Sequence, residues 1–112
     1  MEYNHEAIFC IVNSGYSELV MDAAKKLGAT GGTVINARGT ASKEAETFFH
    51  IIVQPEKEIV MILVPAKIKD NVLRALYEEV GLETKGQGIA FSVPVDSVVG
   101  IATEKPQEKP EN

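Results

Sequence analysis

The residues best suited to bind a ligand are a glycine-containing turn and a few isolated cations. Gly86-Gln87-Gly88 stands just before a strand-like run, where glycines allow backbone N–H groups to face an anion. Arg38 precedes Gly39 at a predicted strand end, and its rigid guanidinium suits phosphate or carboxylate. Lys57 lies between two β-prone runs, where a solvated lysine is the commoner outcome. The three features together suggest anion binding, although each alone also fits an ordinary turn or surface charge.

Signatures of catalysis and of the common nucleotide-binding folds are missing from the sequence. No Gly-x-Gly-x-x-Gly follows the first predicted strand, and no Gly-Lys-Ser/Thr occurs. Cys10 lies within an apolar run, which favours a buried, inert thiol. His5 lies near the chain end, and His50 lies in a β-prone run with no second His or acidic partner at metal-binding spacing. No residues assemble a nucleophile, a base and an oxyanion donor, so we predict neither an enzyme nor a metal site.

The composition indicates one small acidic domain. The chain has 112 residues, of which 45% are hydrophobic, and 11 Lys+Arg against 16 Asp+Glu give a net charge of −5. One cysteine excludes an internal disulfide, and the negative charge argues against nucleic acid. No apolar run approaches the ~20 residues needed to cross a bilayer, and the N-terminus lacks the basic start of a signal peptide. We therefore expect a cytoplasmic protein that neither binds nucleic acid nor inserts into a membrane.

Hydrophobic periodicity predicts two strand–helix units. Strands are predicted over residues 7–12, 33–37, 48–53, 58–64, 89–93 and 98–101. One amphipathic helix is predicted after the strand at 7–12 and another after the strand at 58–64. Ser17 is the predicted N-cap of the first helix, and Gly28 and Gly81 are predicted to end the two helices. The runs 48–53 and 58–64 are predicted to form a hairpin. Two βαβ units predict an α+β, ferredoxin-like βαββαβ sandwich with an antiparallel sheet.

One face of the predicted sheet has no helix to cover it. Side chains such as Phe9, Ile11, Ile62 and Val64 would be exposed there, depending on register. A face this apolar needs a cover, so we expect a homo-oligomer. Residues 103–112 carry charges and two prolines but no large apolar side chain, which predicts a disordered tail after a domain spanning residues 1–102.

Four motifs, in order, resemble those of the PII nitrogen-regulatory signalling proteins. They are Thr30-Gly31-Gly32-Thr33-Val34, Ala37-Arg38-Gly39, Ile62-Leu63-Val64-Pro65 and Gly86-Gln87-Gly88-Ile89-Ala90-Phe91. The resemblance covers about residues 7–102. It implies a ferredoxin-like homotrimer that binds adenine nucleotides in clefts between subunits. It also implies a T-loop that docks onto a target protein, a membrane transporter among the candidates.

The resemblance assigns two groups of residues. Its nucleotide-binding group comprises Ile11, Thr33, Leu63 and Val64 near the adenine, Arg38 and Gly39 at the T-loop base, Lys57 at a phosphate-contacting position, and Gly86, Gln87, Gly88 and Ile89 as the B-loop that cradles phosphates. Its partner-binding T-loop comprises Thr40, Ala41, Ser42, Lys43, Glu44, Phe48 and Phe49.

The sequence departs from the PII pattern chiefly at cationic and chelating positions. The T-loop stretch is shorter and has no tyrosine for nucleotidylation. Lys43 replaces the glutamine that helps hold magnesium and 2-oxoglutarate, Ile89 replaces a lysine, and Gly100 and Ala102 replace two arginines. Each lost charge-assisted phosphate contact is worth ~1.5–3 kcal/mol. We therefore expect no cofactor, and ADP or AMP as the regulatory ligand rather than MgATP with 2-oxoglutarate.

Two other classes of function remain open because a fold does not fix a function. A ferredoxin-like sensor would respond to an amino acid, a metal or a small anion without binding a nucleotide, and Lys43 beside Arg38 suits an anion. An acylphosphatase-like hydrolase would use Arg38 to orient a phosphate and Asn36 to position water, because strand alternation places both on one side.

Overall fold

The computed structural model describes residues 3–40, 47–48 and 54–100. Its elements, in order, are β1 (His5–Asn13), α1 (Ser17–Lys25), β2 (Gly32–Arg38), β3 (Glu56–Pro65), a 3-10 turn (Ala66–Ile68), α2 (Lys69–Val80) and β4 (Ile89–Val95). The four strands form one sheet in the order β2-β3-β1-β4, and every neighbouring pair is antiparallel. The predicted α+β, ferredoxin-like fold is confirmed.

The hydrophobic core lies between the two helices and one face of the sheet. Strand alternation directs Ile8, Cys10 and Val12 of β1 toward the helices, where they meet the buried side chains of β3. Both helices contribute residues spaced three or four apart, so each presents one apolar face. These fully buried positions are Val20 and Ala24 of α1, with Val72, Leu76 and Val80 of α2. Burial of each large aliphatic side chain contributes about 1.5–3 kcal/mol.

The opposite face of the sheet, here called the open face, is covered by neither α1 nor α2. Phe9 and Ile11 lie on it as predicted, and the ring of Phe9 stacks on that of Phe91 with centroids 5.3 Å apart. The prediction was wrong for Ile62 and Val64, which are fully buried in the core. The register explains the difference, because Ile62 lies directly opposite the buried Ile8.

The predicted hairpin between 48–53 and 58–64 is also wrong. β3 pairs on that side with β2, from Gly32 opposite Ile62 to Arg38 opposite Glu56. Phe48 is helical together with Thr47, and residues 49–53 lie outside the described residues. Residues 98–100, predicted as part of a last strand, are not a strand, and the proposed tail at 103–112 and the boundary at residue 102 lie outside the described residues.

The helix ends follow the prediction in position but not always in mechanism. α1 begins at Ser17, but no side-chain hydrogen bond caps it, and Tyr16 precedes it. Gly28 adopts the predicted left-handed conformation, with φ +115°. Gly81 ends α2 with extended backbone instead. No helix in the described part of the chain is both long and apolar enough to cross a membrane.

Candidate functional site

The candidate site lies where four strand ends meet at one edge of the sheet. Because the strands are antiparallel, the carboxyl ends of β1 and β2 lie beside the amino ends of β3 and β4. This edge gathers Asn13, Arg38, Lys57 and the loop at residues 81–88, which leads into β4. The structure therefore brings the T-loop base, the predicted phosphate-contacting lysine and the B-loop to the same region.

Lys57 is the second residue of β3, so it does not lie in the solvated connection that the sequence suggested. Its Nζ donates a hydrogen bond to Asn13 Oδ1 at 2.7 Å. Its aliphatic stem packs on Gly39, where a Cβ atom would lie 3.0 Å from Lys57 Cε. Partial burial lowers the pKa of Lys57 below its ordinary value. Within the described ranges no carboxylate pairs with this ammonium, so its positive charge is available to an anion.

Asn13 is the buried polar residue that joins the parts of this site, and only 3% of it is exposed. Its side-chain Nδ2 donates to the carbonyl of Lys85 at 2.9 Å, and its backbone N–H donates to the carbonyl of Gly86 at 2.8 Å. No binding role for Asn13 is predicted from the sequence. The available signal was its place at the end of an apolar strand, where a buried amide must find partners.

The B-loop forms its own internal network in this structure. The N–H of Gly86 donates to Thr84 Oγ1 at 3.3 Å, and the N–H of Gln87 donates to the Thr84 carbonyl oxygen at 3.0 Å. The N–H of Gly88 donates to the carbonyl of Val80 at 2.6 Å. All three predicted phosphate donors are thus engaged within the loop and its preceding helix. A phosphate would have to share or displace these bonds to use them.

Packing restricts both glycines of the B-loop, Gly88 more severely than Gly86. A Cβ atom on Gly88 would overlap the carbonyl oxygen of Val80 and lie 3.0 Å from Val12 Cγ1. A Cβ atom on Gly86 would lie 3.3 Å from Val80 Cβ. Between them Gln87 has a φ of +49°, the left-handed region that non-glycine residues rarely adopt. The close approach of the loop to α2 therefore explains the glycines without reference to a ligand.

The residues predicted near the adenine do not cluster with Lys57 in one protomer. Ile11 and Ile89 are register partners on the open face, and Thr33 is opposite Met61 on the same face. Leu63 lies six residues along β3 from Lys57, which is about 20 Å at the rise of a strand. The side chain of Val64 is fully buried in the core, so only its backbone could face a ligand.

Arg38 lies at the site edge but on the other side of the sheet from Lys57. Register places Arg38 opposite Glu56, whereas Lys57 is opposite Ala37. Asn36 shares the side of Arg38, as alternation predicted, and is opposite Glu58. The two carboxylates facing this pair would repel a phosphate, which disfavours the acylphosphatase-like arrangement. Glu58 also accepts the backbone N–H of Gly15 at 3.2 Å.

The predicted T-loop is described only at its edges. Thr40 is exposed, as is Phe48, while Ala41, Ser42, Lys43, Glu44 and Phe49 lie outside the described residues. The N–H of Gly39 donates to the carbonyl of Pro55 at 2.8 Å. This bond joins the two ends of the intervening segment, which therefore begins and ends beside Lys57.

Cys10 is not one of the polar side chains that meet at this edge. Cys10 is fully buried, and burial raises the pKa of its thiol to about 11. It lines an apolar cavity of about 160 Å³ between α2 and β4, together with Leu76, Tyr77 and Ala90. Across residues 3–40, 47–48 and 54–100, no three His, Cys, Asp or Glu side chains are grouped to hold a metal ion.

Comparison with known proteins gives a consistent result over nearly the whole chain. The family model described as nitrogen regulatory protein P-II matches residues 6–105. The Arabidopsis thaliana PII structure bound to citrate is 23% identical, with a TM-score of 0.69 over 96% of this chain and 89% of that one. The Bacillus subtilis GlnK–ATP complex is 19% identical, with a TM-score of 0.70 over 94% of each chain.

A PII-like signalling protein from Thermus thermophilus is 21% identical, with a TM-score of 0.62 over 85% of this chain and 90% of that one. At these identities the structural matches establish the fold. No curated protein sequence gives a significant match.

Proposed function

Because this chain belongs to the P-II nitrogen regulatory protein family, we propose that it binds an adenine nucleotide and regulates a target protein in response. Members of this family are regulatory signalling proteins, and we assign this chain a non-enzymatic role in the cytoplasm. The observation that carries the proposal is Lys57, a partly buried cation that contacts Gly39 at the base of the T-loop. An anion bound to Lys57 would therefore lie next to the T-loop, the segment that would present a surface to the target protein.

The proposed ligand is ADP or AMP rather than MgATP with 2-oxoglutarate. The B. subtilis relative was solved with ATP and the Arabidopsis relative with citrate, so the fold accepts anions of different size. In this chain the N–H groups of residues 86–88 are already engaged, and Arg38 lies opposite a carboxylate. Lys57 and the exposed Lys85 of the loop are the two lysines left at this edge among the described residues. Two lysines, without the lysine and the two arginines that Ile89, Gly100 and Ala102 replace, offer fewer phosphate contacts than a triphosphate requires.

The proposed assembly is a homotrimer with ligand clefts between subunits. The exposed apolar residues of the open face include Ile89 at 57%, Phe91 at 46% and Val93 at 43%. Contiguous apolar surface of this kind is normally covered by a partner. The 20 Å between Leu63 and Lys57 also fits a site to which two protomers contribute different parts.

The proposed signal is a change in the population of T-loop conformations. Ligand binding can shift this equilibrium only by its difference in affinity for the two states. The loop segment, from Thr40 to Phe49 in the sequence prediction, would then expose or hide a surface for an enzyme, a regulator or a membrane transporter. Exposed Phe48 is the apolar candidate contact in the described part of this segment.

Isothermal titration calorimetry with ATP, ADP and AMP tests the proposal, with and without magnesium and 2-oxoglutarate. ADP or AMP should bind near one per subunit, and Lys57→Met should weaken binding about 10- to 100-fold. Lys67→Met is the matched control, since Lys67 is exposed in the 3-10 turn at the other end of β3. Tighter binding of MgATP with 2-oxoglutarate would refute the ligand preference.

A sensor of a small non-nucleotide anion is the second candidate, because the partly buried Lys57 ammonium has a neutral partner and the Arabidopsis relative was solved with citrate. Binding of citrate without any nucleotide binding, lost in Lys57→Met, would establish this alternative. Binding of no anion at all would overturn both functions.

A further inference from the structure

Asn13 connects the anion-binding lysine to the B-loop and uses each of its polar groups to do so. Its Oδ1 accepts from Lys57 Nζ, its Nδ2 donates to the Lys85 carbonyl, and its backbone N–H donates to the Gly86 carbonyl. The backbone carbonyl of Asn13 accepts the N–H of Tyr16 at 3.2 Å. A residue that is 3% exposed and has every polar group in at least one hydrogen bond is held in one orientation.

The contact with Asn13 fixes a side chain that is otherwise flexible. A lysine ammonium has three hydrogen-bond donors on a four-carbon stem. One donor of Lys57 is used by Asn13, and the stem rests on Gly39. In the described part of the chain the other two donors have no acceptor. A ligand oxygen can therefore be bound by a cation that is already ordered, which reduces the entropy lost on binding.

The partner of Lys57 is neutral, and this determines what the site can bind. The amide accepts a hydrogen bond from the ammonium without cancelling its charge, whereas a carboxylate at the same position would form an ion pair. We infer that Asn13 is the positioning residue of this site: its amide orients the Lys57 ammonium for an anion and ties that cation to the B-loop. The inference rests on the proposed function and adds to it a residue that acts through Lys57.

A double-mutant cycle with ADP as the probe tests this role. Lys57→Met should weaken ADP binding about 10- to 100-fold, and Asn13→Ala should weaken it about 3- to 10-fold. If Asn13 acts through Lys57, adding Asn13→Ala to Lys57→Met should change the ADP affinity less than twofold. Ser14→Ala is the matched control and should leave ADP binding unchanged. Ser14 is the exposed neighbour of Asn13, and its hydrogen bond to the Glu56 carbonyl comes from the backbone N–H, which alanine keeps.

An equal loss of affinity from Asn13→Ala with and without Lys57 would overturn the inference. That result would show that Asn13 acts only by holding the B-loop. Asn13→Asp is a second variant of the same shape; because it also replaces the Nδ2 donor to the Lys85 carbonyl by an acceptor, circular dichroism first checks that it folds. Its carboxylate would pair with Lys57, so ADP affinity should fall to the level of Lys57→Met. Wild-type affinity in Asn13→Asp would likewise refute the positioning role.

A pyrophosphate titration separates failure of this inference from failure of the proposed function. If ADP does not bind the wild-type protein, nucleotide sensing fails, but the anion site can still be tested. Pyrophosphate should shift the side-chain ¹⁵N NMR signals of Lys57 and Asn13 in the wild type and leave the Asn13 signal unmoved in Lys57→Met. Unmoved signals in the wild type would overturn the inference as well.

Discussion

Replacing Gly88 by alanine separates two explanations for the B-loop glycines. If Gly88 serves only to expose an N–H to phosphate, alanine should reduce ligand binding and leave stability unchanged. The structure predicts a large loss of stability instead. The added Cβ would overlap the Val80 carbonyl oxygen, which also accepts the Gly88 N–H at 2.6 Å, and would lie 3.0 Å from Val12 Cγ1. Both neighbours belong to the packed core or its helix, so neither can move freely.

The expected cost can be estimated from these two contacts. Overpacking of this kind costs about 1–3 kcal/mol, and loss of the Gly88–Val80 hydrogen bond adds about 0.5–1.5 kcal/mol. Gly88→Ala should therefore lower the free energy of unfolding by about 2–4 kcal/mol. At about 4 °C or more per kcal/mol for a domain of this size, Tm should fall by at least ~8 °C.

Urea and thermal unfolding followed by circular dichroism would measure this change without added ligand and at one fixed protein concentration. Gly31→Ala is the matched control, because a Cβ there meets nothing within 4 Å and its φ is not in the left-handed region. That variant should differ from the wild type by no more than about 0.5–1 kcal/mol. If Gly88→Ala were as stable as Gly31→Ala, the steric argument for the loop would be refuted.

Three further predictions concern the open face, the cysteine and the lysine. Phe91→Glu should convert the proposed trimer to monomer in sedimentation, whereas Tyr77→Glu on the helix side should leave the oligomeric state of the wild type unchanged. An oligomeric state unaffected by Phe91→Glu would contradict the proposed interface. The Cys10 thiol, with a pKa raised to about 11, should react with a disulfide reagent near neutral pH only after unfolding, so rapid modification of the native protein would contradict its burial. Because burial lowers the pKa of Lys57 below 10.5, the unfolded chain binds more protons between the two pKa values. The free energy of unfolding should therefore rise with pH between these two pKa values. Urea unfolding at several pH values would measure this rise, and the same pH dependence in Lys57→Met as in the wild type would contradict a contribution from Lys57.

The elements with a clear hydrophobic period could be predicted from the sequence. The alternation in β1 and the three- and four-residue spacing in α1 and α2 each indicate one buried face. Local pattern could not decide strand pairing, since the apolar run at 48–53 looks like a hairpin partner for β3. The actual partner of β3 is β2, which lies far away in sequence: Gly32 of β2 is opposite Ile62 of β3, 30 residues later in the chain. Such pairing depends on tertiary packing.

The candidate site could be predicted in its residue types but not in its connections. The motif comparison selected Lys57, Gly39 and the B-loop, and the strand ends bring these to one edge. The role of Asn13 depends on its burial and on bonds to residues more than 70 positions away, as with the carbonyl of Lys85. The opposite directions of Arg38 and Lys57 follow from strand register, which the sequence did not determine.

The hydrogen bond from Gly39 to Pro55 has a consequence for how the chain between them can vary in length. Because this bond and the adjoining β2–β3 ladder already hold the ends together, the conformational entropy of closing the loop depends only on its length. That entropy grows with the logarithm of length, so doubling the segment costs only about 0.6 kcal/mol. Insertions or deletions between Thr40 and Gln54 should therefore leave the sheet nearly as stable. The segment proposed to recognise a partner can thus be remodelled, in evolution or by grafting a peptide, independently of the domain that carries it.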